Sequence, residues 1–151
     1  MHHLDKTYCE IVECAKDLSM QINSIYNVCP KIFLNFNSVN EVGGSTGIYY
    51  RIHDMYIELD IPHNYTFGRV HRNEFIFMFI HEYCHYIDAL TMSGKDRVNS
   101  ITNYLNNSQY KCLDERRNWT TVKRVAKKLK LWNKPLYNAI RNYSYTAAIR
   151  F

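Results

Sequence analysis

At 151 residues, 46% of them hydrophobic and 22% charged, the chain is long enough to bury a proper core and is sized for one domain spanning 1–151. Its longest apolar run is six residues, which excludes a membrane-spanning helix, and the opening Met1-His2-His3-Leu4-Asp5-Lys6 lacks the basic-then-apolar order of a secretion signal. The net charge of +5 is unevenly spread: residues 111–151 hold eleven Lys and Arg against two acidic residues, net +9, and residues 1–110 eight against twelve, net −4.

The positive end admits a nucleic-acid or acidic partner, and equally a helix face that is merely solvated. Cys9, Cys14, Cys29, Cys84 and Cys112 make an odd number with no C-x-x-C pair, so reduced thiols in a cytoplasmic setting are expected. Abundant Asn, Tyr, Ile and Lys suggest an AT-rich coding sequence of the kind phages and other viruses carry.

In chain order, residues 5–26 predict an amphipathic helix. Asp5 can cap it, and Tyr8, Ile11, Val12, Ala15, Leu18, Ile22 and Ile25 recur at helical spacing until Cys29-Pro30 ends it. A strand follows at 31–36, with Ile32, Leu34 and Phe36 on one face. Residues 37–45, containing Gly43-Gly44, read as a loop. A hairpin then turns at His53-Asp54, placing Ile48, Tyr50 and Ile52 inward from one strand and Met55, Ile57, Leu59 and Ile61 inward from the other. A loop at 62–71 carries His63 and His71. Helices are expected at 73–92, stopped by Ser93-Gly94, then at 96–105, 111–131 and from Lys134-Pro135 to 148.

The chemistry gathers in the helix at 73–92. It contains His81-Glu82-Tyr83-Cys84-His85, the H-E-x-x-H pattern. Four residues put both imidazoles on one face, one turn apart, where they can hold a single zinc ion. Glu82 lies just beside that face, within reach of a water on the metal. The preceding Phe75 to Ile80 is apolar all round, so this helix is expected at the centre of the domain, where unpartnered histidines would be costly. Ordinary core histidines, satisfied by hydrogen bonds, are the competing account. Cys84, at a variable position, reads as packing.

A catalytic zinc takes three protein ligands and leaves a fourth place for water. No histidine follows His85, which removes every scheme whose third ligand is a later histidine. The downstream carboxylates are Asp88, Asp96, Asp114 and Glu115. Asp88 lies about 10 Å along the axis from His81, too far to share its metal; it suits orienting a ligating histidine or bonding backbone near the helix end. Helical phase favours Glu115 over Asp114. Cys112, Glu115, Trp119, Val122, Ala126 and Leu129 form the apolar seam of their helix, whereas Asp114 shares a side with Arg117, Asn118, Thr121 and Lys128. A carboxylate on a buried seam needs a metal or a cation, so a buried Arg or a wet helix end competes with the ligand reading. Glu115 is the expected third ligand, with Asp88 and Asp114 behind it.

This order of helix, strand, hairpin, H-E-x-x-H helix and Glu-bearing helix resembles the minimal gluzincin-type zinc metallopeptidases, notably small phage and bacterial ones of the ImmA/IrrE-like kind. The likeness covers about 47–126, in Gly47-Ile48-Tyr49-Tyr50, His81-Glu82-x-x-His85 and Glu115-x-x-Asn118-Trp119; Asn118 stands where the family often has a small residue. The resemblance implies a zincin-like α+β fold: a small sheet of three or slightly more strands on an active-site helix, an amino-terminal helix and a helical carboxyl-terminal half. It implies Zn2+ on His81, His85 and Glu115, Glu82 as general base, and hydrolysis of a protein or peptide substrate in the host cytoplasm or a virion. Some members of that family stabilise the oxyanion with a Tyr or His, for which Tyr143 and Tyr145 are candidates here. The hairpin's outer strand would hold substrate backbone, with Tyr49, Arg51, Tyr56 or Glu58 facing its side chains. Two other readings stay open: a catalytically silent zincin-fold interaction module, and a nucleic-acid-associated protein using Lys123, Arg124, Lys127, Lys128 and Lys130.

Overall fold

The amino-terminal apolar periodicity folds as α1 (His3–Tyr26) in a computed structural model that describes residues 3–37, 47–62 and 69–149. Ile11, Cys14, Ala15, Leu18 and Ile22 are buried along it. Ile25, expected on that face, is instead 43% exposed, because Tyr26, four residues after Ile22, takes the core position. Asn27 ends the helix with φ 51°, and the Val28 amide reaches back to the Asn23 carbonyl. Asparagine tolerates this left-handed turn better than most residues.

Three strands follow: β1 (Lys31–Asn37), β2 (Gly47–Arg51) and β3 (Tyr56–Pro62). They form a mixed sheet of order β1-β3-β2. β3 is central, parallel to β1 and antiparallel to β2. Register sets Ile57 opposite Ile32 and Tyr50, and Leu59 opposite Leu34 and Ile48, so one apolar face runs across the sheet. Ile57, Leu59 and Ile61 are fully buried. On the edge strand β1 burial fails: Leu34 is 38% exposed, although its face is the expected one. Met55 falls in the turn before β3 and is only half-buried. It closes the hairpin with φ 55°, and its amide donates to the Arg51 carbonyl at 2.8 Å. Most of the expected loops, residues 38–46 and 63–68 with His63, lie outside the described residues.

α2 (Arg69–Leu90) carries the H-E-x-x-H pattern and packs against α1, β2, β3 and two later helices, as its all-round apolar run demands. Phe75, Phe77, Phe79, Ile80, Tyr83 and Cys84 are buried. The Tyr83 hydroxyl donates to Asn23 Oδ1 at 2.6 Å, locking α1 onto α2. Ser93-Gly94 does not stop α2. Ser93 caps the next helix, accepting from the Asp96 amide at 3.2 Å, and α3 (Gly94–Asn106) starts at once. Asn107 in turn caps α4 (Ser108–Lys128) by accepting from the Tyr110 amide. Lys130, at φ 59°, terminates α4, with Lys130 and Leu131 amides returning to Lys127 and Ala126 carbonyls. α5 (Lys134–Ile149) covers α2 and α4, its Tyr137 hydroxyl donating to the Trp119 carbonyl at 2.7 Å. The described chain is thus α+β, five helices on a small mixed sheet, and no described helix is long and apolar enough to cross a membrane.

Candidate metal centre

Two elements build the centre. α2 presents His81 and His85 one turn apart, with ring centroids 4.9 Å from each other. α4 brings Glu115 to them from its buried seam. His81 Nε2 lies 2.8 Å from Glu115 Oε2, and His85 Nε2 lies 3.2 Å from Glu115 Oε1. One ligand atom from each of the three residues falls within 4.8 Å of the others. Ligands of a single tetrahedral ion stand about 3–4 Å apart, so small side-chain rotations bring all three onto one cation. Two imidazoles and a carboxylate suit a divalent transition ion.

The surroundings hold these groups in place. Trp119, fully buried, stacks on the His81 ring at 4.6 Å and 13°. Asn118 Nδ2 donates to the His81 carbonyl at 3.0 Å, pinning α4 to α2 beside the ligands. The Tyr104 hydroxyl, from α3, donates to Glu115 Oε1 at 2.7 Å. Burial opposes charge on His81, but Glu82 and Glu115 outweigh it and raise His81 to about 9. Burial likewise opposes charge on Glu115, yet hydrogen bonds from His81 and His85 hold it well below the usual carboxylate range. His81 Nε2 and His85 Nε2 both face the Glu115 carboxylate, while the buried Nδ1 of His81 has no hydrogen-bond partner among the described residues. Burial, then the Glu115 carboxylate, holds the Tyr104 phenol well above the ordinary tyrosine value.

Glu82 faces the same space outside the three-residue ligand group, its Oε1 3.3 Å from His81 Nδ1. The Tyr50 amide of β2 donates to Glu82 Oε2 at 2.9 Å, so the strand edge fixes its rotamer. A cavity of about 240 Å³ opens onto His81, Glu82, His85 and Glu115, walled by β2 on one side and α3 on the other. The Tyr50 ring stacks on His85 across it, 5.9 Å between centroids.

No family model, curated protein or solved structure matches this chain. The site must be read from its own geometry.

The other sequence candidates fall elsewhere. Asp114 pairs with Arg117 on the rim and stays out of the cluster. Asp88 is half-buried in the cavity wall; burial raises its pKa, which His85 and Arg117 partly oppose. Tyr143 is 74% exposed and does not line the cavity, and the side chain of Tyr145 lies outside the described residues. Asn118 and Thr121 share the Asp114 side as expected but are buried rather than solvated, because α4 is covered on two flanks, by α2 and by α3 and α5. Tyr49 and Arg51 line the cavity as well, Arg51 lying over the Tyr49 ring and paired with Glu58. Lys123 and Lys127 both sit over Trp132, and Lys128 over Tyr26, so these cations lean on aromatic faces. All five cysteines are free, and Cys84 is buried with its thiol pushed far up by burial, the behaviour of packing rather than of a ligand.

Sequence reasoning missed Tyr104, Tyr50 and the anchoring role of Asn118. Arg97, Ser100, Ile101 and Tyr104 do recur at helical steps, which was a readable signal, but α3 buries no residue, and Val98 and Leu105 on its apolar stripe lie exposed.

Proposed function

We propose that the chain is a zinc-dependent peptidase of zincin-like fold, hydrolysing peptide bonds in a protein or peptide substrate. The observation that carries this reading is the convergence of His81, His85 and Glu115 on one point, with Glu82 facing the same cavity outside the ligand set. His81, His85 and Glu115 are the residues that would hold the metal. Zinc bound there supplies Lewis acidity, polarising a substrate carbonyl and lowering the pKa of water toward about 7.

The protein's own groups do the rest. Glu82, held by the Tyr50 amide, takes a proton from the attacking water and delivers it to the leaving amine. Tyr104 and Trp119 orient Glu115 and His81, so that little reorganisation accompanies reaction. β2, an edge strand beside the cavity, offers backbone groups to an extended substrate.

The test is metal analysis joined to cleavage of a mixed peptide library read by mass spectrometry. Wild type is expected to bind one zinc per chain and to cleave. Glu82→Gln keeps the zinc and loses cleavage, whereas His85→Ala and Glu115→Ala lose both. Zinc bound without cleavage by any form would replace the enzyme reading with a silent interaction module. Zinc retained by Glu115→Ala would remove the third ligand.

A further inference from the structure

The cavity has a second pole. Arg97, Ser100, Ile101 and Tyr104 line it from one face of α3. Tyr104 touches Glu115 at the metal end. Arg97 closes the other end, where its Nη2 donates to the His53 carbonyl in the hairpin turn at 2.6 Å. Seven positions separate the two, about 10 Å of helix, or roughly three residues of extended peptide.

Arg97 is held by a carbonyl and, among the described residues, has no carboxylate partner. Its Nε is buried with no acceptor among the described residues. The Tyr50 hydroxyl, on a residue lining the same cavity, is buried without a hydrogen-bond partner among the described residues as well. The cavity's other charges are engaged: Glu115 by the histidines, Glu82 by the Tyr50 amide, Asp114 by Arg117, and Arg51 by Glu58. Asp88 also lines the cavity, and burial raises its pKa against the opposing charges of His85 and Arg117. What the far end lacks is an acceptor, and an anionic one satisfies a guanidinium best because its fork matches two carboxylate oxygens.

We propose that Arg97 and the Tyr50 hydroxyl form a carboxylate subsite, so that the substrate carries a carboxylate, as an acidic side chain or as a free chain end, within about three residues of the bond cleaved. This deepens the peptidase reading and rests on it.

Zinc-loaded Glu82→Gln protein, which holds peptide without turnover, is titrated with four sets of acetylated alanine hexapeptides. The sets carry Glu with an amidated end, Gln with an amidated end, Lys with an amidated end, or Gln with a free carboxyl end. Either the Glu set or the free-acid set is expected to bind roughly tenfold or more tightly than the Gln amide, and which one does so identifies the source of the carboxylate. Arg97→Gln brings that ratio to within about twofold, while Arg97→Lys retains part of it. Because the readout is a ratio, general loosening of α3 leaves it unmoved. No preference, a preference for Lys, a preference that survives Arg97→Gln, or no binding by any set would overturn the subsite. Cleavage of the preferred peptide is then measured with zinc-loaded wild type. Preference without cleavage removes the peptidase reading alone, and cleavage without preference removes the subsite alone.

Discussion

Deleting one oxygen from Tyr104 separates holding Glu115 from merely filling space beside it. The hydroxyl donates to Glu115 Oε1, and the ring meets the His85 ring edge-on at 6.3 Å. Tyr104→Phe keeps the ring and frees the carboxylate to rotate. The expected cost to the metal-free fold is about 1.5–3 kcal/mol, that of a hydrogen bond to a charged group. Zinc affinity should fall by about 10- to 100-fold, as it does when the partner of a metal-holding side chain is lost. Competition with a chelator of known affinity measures this directly. A variant that is less stable yet binds zinc within about twofold of wild type would make Tyr104 a structural residue only. Trp119 stands in a different position: wholly buried between His81 and Tyr137, its loss would damage fold and site together. Tyr104 is therefore the sharper probe.

Helix ends offer a test of how the elements bearing the site are fixed. Lys130 closes α4 in the left-handed region at φ 59°, where a β-carbon crowds the backbone. Lys130→Gly removes that crowding and keeps both returning hydrogen bonds, so it should stabilise the protein by about 1 kcal/mol, or about 2–4 °C in melting temperature. A melting temperature unchanged or lower would mean that the Lys130 side chain contributes more than its backbone costs. Asn27→Gly, at the matching position of α1, should gain less because asparagine already tolerates the geometry. Local signals of this kind made α1, the hairpin and the four later elements legible in the sequence: caps, breakers and apolar steps act within a few residues. Chain order could not reveal that β1 joins β3 rather than β2, since strand pairing depends on contacts distant in sequence. Within the site, Glu115 was legible as a charge out of phase with its surface, whereas the inward turn of Asn118 makes sense only once the His81 carbonyl it meets is known.

Across the whole molecule, burial has shifted several acids in one direction, and that fixes how stability responds to alkali. Burial raises Cys14 on α1, despite Arg72, and raises Tyr26 at the end of α1 and Tyr137 on α5. Each keeps its proton longer when folded than when unfolded. Below the unfolded values, about 8.5 for cysteine and 10 for tyrosine, neither state is ionised and their contribution is complete. As pH rises past those values the unfolded chain loses protons that the folded chain retains, so stability falls. In the metal-free protein His81, raised to about 9 when folded, already lowers stability from about pH 6.5 upward; the buried thiols of Cys14 and Cys84 add to the decline near about pH 8.5, and the tyrosines near about pH 10. Cys14→Ala lowers the plateau by opening space beside Ile11 and Leu18 in the core, yet it should make the thiol part of the decline shallower, Cys84 supplying the remainder, an opposition that a packing effect alone does not produce. Urea denaturation of wild type and Cys14→Ala at half-unit steps from about pH 7 to 11 reads both effects. Parallel curves for the two proteins would mean that Cys14 ionises equally in the folded and unfolded chains, and its burial in α1 would then carry no proton linkage.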